Sequence, residues 1–320
     1  MPAAVKTSRT RRLPGKAAPR PLPRPKISAP WSLRSAGGLE ILELAPFKRI
    51  PWLIHGFSTR AGGSSVLDSG ERVLNLGFTE WDLRENVLAN RQLFQTALGG
   101  GDLTLVLLKQ FHSAVVRFFA APGGRSRRSL PAPAGDASLA SAPGLLLGVQ
   151  TADCLPILLV DPKKRAVAAI HAGWRGTLSR IAEKTVGQMR IHFGSDPRDI
   201  LAAIGPAIGG CCYEVGTELV GKFTSQFADA SEYFDELRTG EEPNPLQWLN
   251  RMPPGHQPPP KNVRLDLSKA NRAQLLAAGL GGANIFASGL CTACHGSLLF
   301  SYRKEAACSG RLLAAIGLRP

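Results

Sequence analysis

The chain has 320 residues, enough for one large domain or two small ones. Hydrophobic residues make up 44% and charged residues 20%, an ordinary globular balance, and no stretch approaches the roughly 18–20 uninterrupted apolar residues of a membrane span. The net charge is +15, but residues 1–38 hold nine basic residues and no acid, leaving +6 for the rest, which argues against a dedicated nucleic-acid surface in the body.

The first segment, residues 1–38, is rich in Arg and Pro and predicts a disordered basic tail whose only partner is weakly bound polyanion. It lacks the apolar core of a secretory signal, and an Arg-rich transit peptide is the alternative. The folded body is expected from residue 39 onward, with its first ordered stretch near Ile41–Pro51. "IHGFSTRAGGSS" reads as a strand entering a Gly/Ser loop, and "WDLRENVLANRQLFQTALGG" as a helix over 81–100 that Gly99-Gly100 ends. Strands are expected over 103–108 and 114–119, then a Pro/Gly/Ser loop over 121–135.

The middle contains three apolar runs, "GLLLGVQ", "CLPILLVD" and "AVAAIHAGW", which read as buried strands. A helix follows over 177–194, with Thr177 as its N-cap and Gly194 as its stop. "DILAAIGPAIGG" reads as a strand and Gly-rich turn, and 239–262 as a long Pro-rich loop. A helix over 265–280 and the strand "NIFASG" complete the order. Without repeats or a clear linker, the pattern predicts a single layered α/β domain over 39–320, with mixed β-sheets flanked by helices.

Six histidines are present. His256 lies in the Pro-rich loop, and His192 ends a helix, where a cation suits the dipole. His112 and His171 sit at strand-to-turn junctions, as does Cys154 in "QTADCLP". Two imidazoles and a thiolate suit Zn²⁺ with one position left open, although each residue also fits a core role. Arg60, Arg175 and Arg303 each lie in a turn beside Gly, Ser or Tyr, where a guanidinium fork is placed to take phosphate or simply to meet solvent.

The motifs "HGFSTRAGG", "NLG", "QFHSAV", "TADCLPILL", "IHAGWRGT", "IGPAIGGCCYEVG", "LDLSKANRAQL" and "CTACHGSLLFSYR" occur in this order. Together they resemble the YfiH-type family, also called laccase-domain or multicopper polyphenol oxidase proteins. The resemblance runs from about residue 50 to 318 and implies a layered α/β fold like that of the cytotoxic necrotising factor deamidases. It implies a zinc-dependent purine nucleoside phosphorylase with adenosine deaminase activity, and places the metal ligands on His112, Cys154 and His171. The family's usual glycine after the first histidine is Ser113 here. Six histidines with no H-x-H pair do not supply four coppers, so one ion, zinc or at most a single copper, is the expectation.

On this reading the substrates are purine nucleosides and phosphate. Arg60, Arg175 and Arg303 are candidates for phosphate, Asn75 and Gln110 for the nucleoside, and Asp153 for general acid/base or orienting work. The rival enzyme class is a metal-free Cys–His hydrolase using Cys154 and His171. A basic-tailed RNA-binding protein is a third reading, without an aromatic-rich motif in the body to support it. With six sparse cysteines and no export signal, reduced thiols and a cytoplasmic location are expected.

Two cysteine motifs remain. Cys211-Cys212 are adjacent, which reads as packing and as a poor ligand pair for one ion. Cys291-x-x-Cys294-His295 matches a haem-attachment string, but half a zinc site needs a second ligand pair, and Cys308 alone does not make one. Both motifs are therefore expected to be scaffold.

Overall fold

A computed structural model describes residues 25–120, 132–236 and 262–319. In chain order the strands are β1 Trp31–Ala36, β2 Leu39–Leu44, β3 Leu53–Ser58, β4 Ala61–Val66, β5 Arg72–Val73, β6 Thr104–Leu107, β7 Val116–Phe119, β8 Ala137–Ala140 and β9 Leu145–Thr151. They continue as β10 Leu155–Asp161, β11 Ala166–Ala172, β12 Leu201–Ile204, β13 Glu214–Gly216, β14 Phe234–Glu236, β15 Asn262–Leu265, β16 Ile285–Ala287 and β17 Leu312–Leu318. The helices are α1 Ala45–Lys48, α2 Arg84–Leu98, α3 Trp174–Leu178, α4 Ile181–Phe193, α5 Glu218–Thr224, α6 Leu267–Ala277 and α7 Tyr302–Glu305.

Two six-stranded mixed sheets form the centre, in the orders β1-β2-β3-β17-β9-β6 and β16-β12-β10-β11-β8-β7. The pairs β6/β9, β7/β8 and β12/β16 are parallel, and the remaining pairs of these sheets are antiparallel. The sheets face each other across a core containing Leu147, Val149 and Ile316 from one and Leu158, Val160 and Val167 from the other. Alternate residues point outward. Leu146, Leu313 and Ile54 meet Phe94 and Leu98 of α2, while Ile157, Leu159 and Ile170 meet Ile181, Val186 and Met189 of α4. The order of layers is helix, sheet, sheet, helix. Both faces of the central strands are covered, which is why β9, β10 and β11 read as continuous apolar runs rather than alternating ones.

The expected helices and central strands are present, with three differences. First, the boundary of the basic tail moves. Trp31–Ala36 pairs in register with β2, and Trp31 is buried against Phe57, so an apolar anchor draws this stretch into the sheet. Residues 1–24 lie outside the described residues, as do 121–131, His256 and most of the Pro-rich loop; Asn262 is the first residue of β15.

Second, Thr177 is not an N-cap. It lies inside α3, and Arg180, in the left-handed region at φ 59°, separates α3 from α4. The Thr177 hydroxyl instead accepts from Asn271 Nδ2 at 2.9 Å, tying α3 to α6. Third, the short strands β13, β14 and β15, each carrying polar or charged residues, form a small separate sheet that has no periodic signature in the sequence. Gly99 and Gly194 do stop their helices in left-handed conformations, and Asp266 caps α6 through Lys269 N.

Candidate active site

The register of three neighbouring strands builds the site. β10 and β11 are antiparallel with Pro156 opposite His171, so Cys154, just before β10, and His171, near the end of β11, lie at the same edge. β8 flanks β11 with Ala137 opposite Ile170, which brings Asp136 beside His171. His112 arrives on the connection between β6 and β7. The ligand atoms of His112, Cys154 and His171 all lie within 4.8 Å of one another, and the two imidazole rings are 5.1 Å apart, edge to face.

Asp136 holds this arrangement. Its carboxylate accepts from Ser113 N (2.7 Å), Ser113 Oγ (2.6 Å), His112 N (3.0 Å), Phe111 N (3.3 Å) and His171 Nδ1 (2.9 Å). Three consecutive amides converge on one anion, a nest that holds His112 in the left-handed region at φ 62°. That conformation costs a non-glycine residue about 1–2 kcal/mol, which the convergent hydrogen bonds offset. Burial opposes ionisation of Asp136, but the hydrogen bonds from His171 and Ser113 outweigh it and hold the carboxyl far below its usual range. Ser113 adds an anchor to the turn through its hydroxyl.

Cys154 and His171 form a charged pair. Burial works against the thiolate, but the positive charge of His171 and hydrogen bonds from His112 and His171 bring Cys154 down to about 6. Burial likewise works against the imidazolium, and Cys154 and Asp136 raise His171 to about 9. Gly173 leaves the space the thiol needs: a Cβ there would stand 2.8 Å from Cys154 Sγ and 2.9 Å from His112 Cδ2.

Around this cluster the other expected residues divide. Arg175 is exposed at the start of α3, its guanidinium 4.5 Å from the Trp174 ring centre. Arg303 is exposed, donates to the Glu214 carbonyl at 3.1 Å and stacks on Tyr213 at 5.3 Å. Burial pushes the Tyr213 hydroxyl up to about 12, with the charge of Cys154 adding to the shift and those of Arg303 and Arg175 opposing it. Asp153 accepts from Thr292 Oγ1 at 2.6 Å and from Arg303 N at 2.7 Å, so each carboxylate oxygen is occupied by a donor. Gln110 exchanges two 2.8 Å hydrogen bonds with the backbone of Gln150 and fixes the His112 connection to β9.

Asn75 and Arg60 are spent on the frame. Asn75 is fully buried, donates to Thr79 and Asp82, and accepts from Gly77 N and Arg311 N. Arg60 is buried, pairs with Glu305 and the Gly296 carbonyl, and lies over the Phe300 ring. Sequence reasoning missed Asp136, Tyr213 and Arg311. Burial lowers the Arg311 guanidinium, while Tyr302, Asp153 and Cys154 lie close enough to favour its charge. "GD" before the apolar "ASLA" was the available signal for Asp136.

Residues 54–319 match the family described as multi-copper polyphenol oxidoreductase laccase. This chain belongs to that family. It is 37% identical over 284 residues to a purine nucleoside phosphorylase of Deinococcus radiodurans, covering 89% of this chain and 95% of the relative. It is 36% identical over 181 residues to adenosine deaminase RL5 from an unknown prokaryotic organism, covering 57% of this chain and 61% of the relative. Among solved structures, the Bacillus licheniformis hypothetical protein YfiH superposes with a TM-score of 0.74 at 28% identity, covering 91% of this chain and all of that one. The layered mixed-sheet α/β fold expected from the YfiH resemblance is thus the fold of this family. No helix among the described residues is long and apolar enough to cross a membrane.

Proposed function

We propose that this chain is a zinc-dependent purine nucleoside phosphorylase. It joins phosphate to ribose C1′ of adenosine, inosine or S-methyl-5′-thioadenosine and releases the free base, with adenosine deamination as a side activity of the same pocket. The observation that carries this reading is the His112–Cys154–His171 cluster, with the exposed Arg175 at the start of α3 just past His171 and Arg303 stacked on Tyr213. The names of the relatives supply the reaction class.

The donor set fits one Zn²⁺: two imidazoles and a thiolate, leaving the fourth position open. Asp136 occupies Nδ1 of His171 and leaves its Nε2 for the ion, the carboxylate–histidine arrangement that fixes a ligand's tautomer. Zinc held there supplies a Lewis acid at the open position. The chain's own residues do the binding. The Arg175 guanidinium has no hydrogen bond or ion pair among the described residues, and Arg303 spends one N–H on Glu214; their remaining donors hold the phosphate as its oxygen replaces the purine nitrogen at C1′. Asp153, with both oxygens engaged, is a positioning residue that fixes the backbone of Arg303. Gln110 acts the same way on the His112 connection, and Arg60 on α7 through Glu305.

The test is product analysis of the zinc-loaded full chain with adenosine, with and without phosphate. Adenine plus ribose 1-phosphate, formed only with phosphate, is the expected result, with a minor phosphate-independent yield of inosine. Absence of both products sinks the proposal, as does a His112→Ala variant that keeps both zinc and full phosphorolysis.

The Asp136–His171–Cys154 chain of contacts also fits a metal-free Cys–His hydrolase, in which Cys154 attacks and His171 takes the proton. Metal analysis separates the two. If zinc copurifies stoichiometrically and blocks alkylation of Cys154, the phosphorylase reading stands and the hydrolase reading falls.

A further inference from the structure

A second cluster of ligand atoms lies outside the site described above. Cys211 and Cys212 lie on the connection between β12 and β13, and Cys291 and Cys294 on the segment between β16 and α7. Their four Sγ atoms all lie within 4.8 Å of one another, with Cys294 Sγ 3.5 Å from Cys211 Sγ and 3.4 Å from Cys212 Sγ. The sequence reading set Cys211-Cys212 aside as an adjacent, poor ligand pair and Cys291/Cys294 as half a site without a second pair. The fold provides each with the other, from about 80 residues away.

The backbone is already arranged around these sulfurs. Ala207 bridges Cys291 in parallel, with Ala207 N donating to the Leu290 carbonyl at 3.2 Å and Thr292 N to the Ala207 carbonyl at 2.9 Å. Gly209 N donates to Cys291 Sγ at 3.3 Å, the kind of N–H contact that supports a thiolate. A Cβ on Gly209 would stand 3.3 Å from both Cys211 Sγ and Cys291 Cβ, so the glycine keeps the space between the pairs open. His295 is not among the mutually close ligand atoms of this group, and its Nδ1 lies 2.8 Å from the Cys291 carbonyl.

The chemistry of four sulfurs selects among their possible roles. All six cysteines of the chain are free. A disulfide from Cys294 to Cys211 or Cys212 would leave two thiols stranded beside it. Four thiolates around one Zn²⁺ at about 2.3 Å sit about 3.8 Å apart on tetrahedral geometry, within a few tenths of an ångström of the 3.5 and 3.4 Å that separate Cys294 from Cys211 and Cys212. Such a shell is closed, so it binds no substrate and acts by holding chain segments together.

We propose that Cys211, Cys212, Cys291 and Cys294 form a second metal site that takes one Zn²⁺ in a four-thiolate shell. It staples the connection after β12 to the segment leading into α7. Those segments carry Tyr213, whose ring stacks on Arg303, and Thr292, which donates to Asp153. The staple therefore orders one wall of the active site without touching substrate.

The test counts zinc in the full chain, purified under reductant, loaded with zinc salt and dialysed. Wild type is expected to hold two ions. The variant His112→Ala/Cys154→Ala/His171→Ala is expected to hold one, as is Cys291→Ser/Cys294→Ser. If the latter does not fold, Co²⁺ loading of the first variant decides: intense thiolate-to-cobalt absorption is the expected result. The proposal is overturned if the folded His112/Cys154/His171 variant binds no zinc, or if iron occupies the four sulfurs. It is also overturned if Cys294 is found disulfide-linked in the zinc-loaded protein, or if Cys211 and Cys294 alkylate as fast with zinc as after chelation.

Discussion

The carboxylate of Asp136 lies 2.9 Å from Nδ1 of His171 and 3.0 Å from the backbone nitrogen of His112. One fully buried acid thus sets both the ring of one ligand and the main-chain conformation of another. Asp136→Asn keeps the shape but turns an N–H₂ group toward N–H donors. Zinc affinity is expected to fall about 10–100-fold, as when an outer partner of a metal ligand is lost. Chelator competition on the folded variant measures it, and unchanged affinity would show that Asp136 does not position the ligands.

Gly173 tests the geometry from the other side. Gly173→Ala is backbone-tolerant at φ −74°, but its methyl would stand inside contact distance of Cys154 Sγ and His112 Cδ2. The expected result is at least a tenfold loss of zinc affinity with circular dichroism unchanged. A variant that binds zinc like wild type would mean that the two ligands move apart freely.

Arg175 and Asn75 are expected to fail in different ways. Arg175→Ala removes an exposed charge-assisted donor worth about 1.5–3 kcal/mol, so KM for phosphate should rise about 10–100-fold with KM for nucleoside and unfolding midpoint unchanged. Asn75→Ala leaves Asp82, Gly77 N and Arg311 N without their buried partner, and should cost stability, roughly 1–3 kcal/mol or more, with no phosphate-specific effect. Steady-state kinetics and urea unfolding on both variants separate the roles; a phosphate-specific defect in Asn75→Ala would place that residue at the substrate.

His55 gives a pH dependence independent of zinc. Burial lowers its imidazole to about 4, and its Nε2 accepts from Leu44 N at 3.0 Å. The unfolded chain binds a proton near 6.5 while the folded chain stays neutral until about 4, so stability is full above 6.5 and falls as the pH drops toward 4. The difference amounts to about 3 kcal/mol. His55→Gln keeps an acceptor for Leu44 and removes the titration. Urea unfolding at the two pH values should show a loss smaller by about that amount in the variant; equal losses would mean that His55 is protonated in the folded state.

How much of this was legible depends on how far apart the interacting groups lie in the chain. The central strands announced themselves because both faces are covered, and α2, α4 and α6 because one face is. His112, Cys154 and His171 stood out as His and Cys at strand ends, and the structure brings them together. Thr177 misled because a polar residue before an apolar stripe resembles a cap, whereas the break lies at Arg180, a residue with no turn signature. Arg60 and Asn75 lie in turn sequences that look open, yet both side chains are buried and have partners in the frame, such as Glu305 for Arg60.

The sequence by itself determined the central strands, the helices α2, α4 and α6, and the helix stops at Gly99 and Gly194, because each depends on side chains within a few residues. Only the tertiary structure decided that Asp136 meets both His112 and His171, that Arg303 stacks on Tyr213, and that Cys211-Cys212 faces Cys291 and Cys294. Those meetings follow from strand order, and strand order follows from covering both faces of two sheets at once, a condition on the whole chain that no local pattern states.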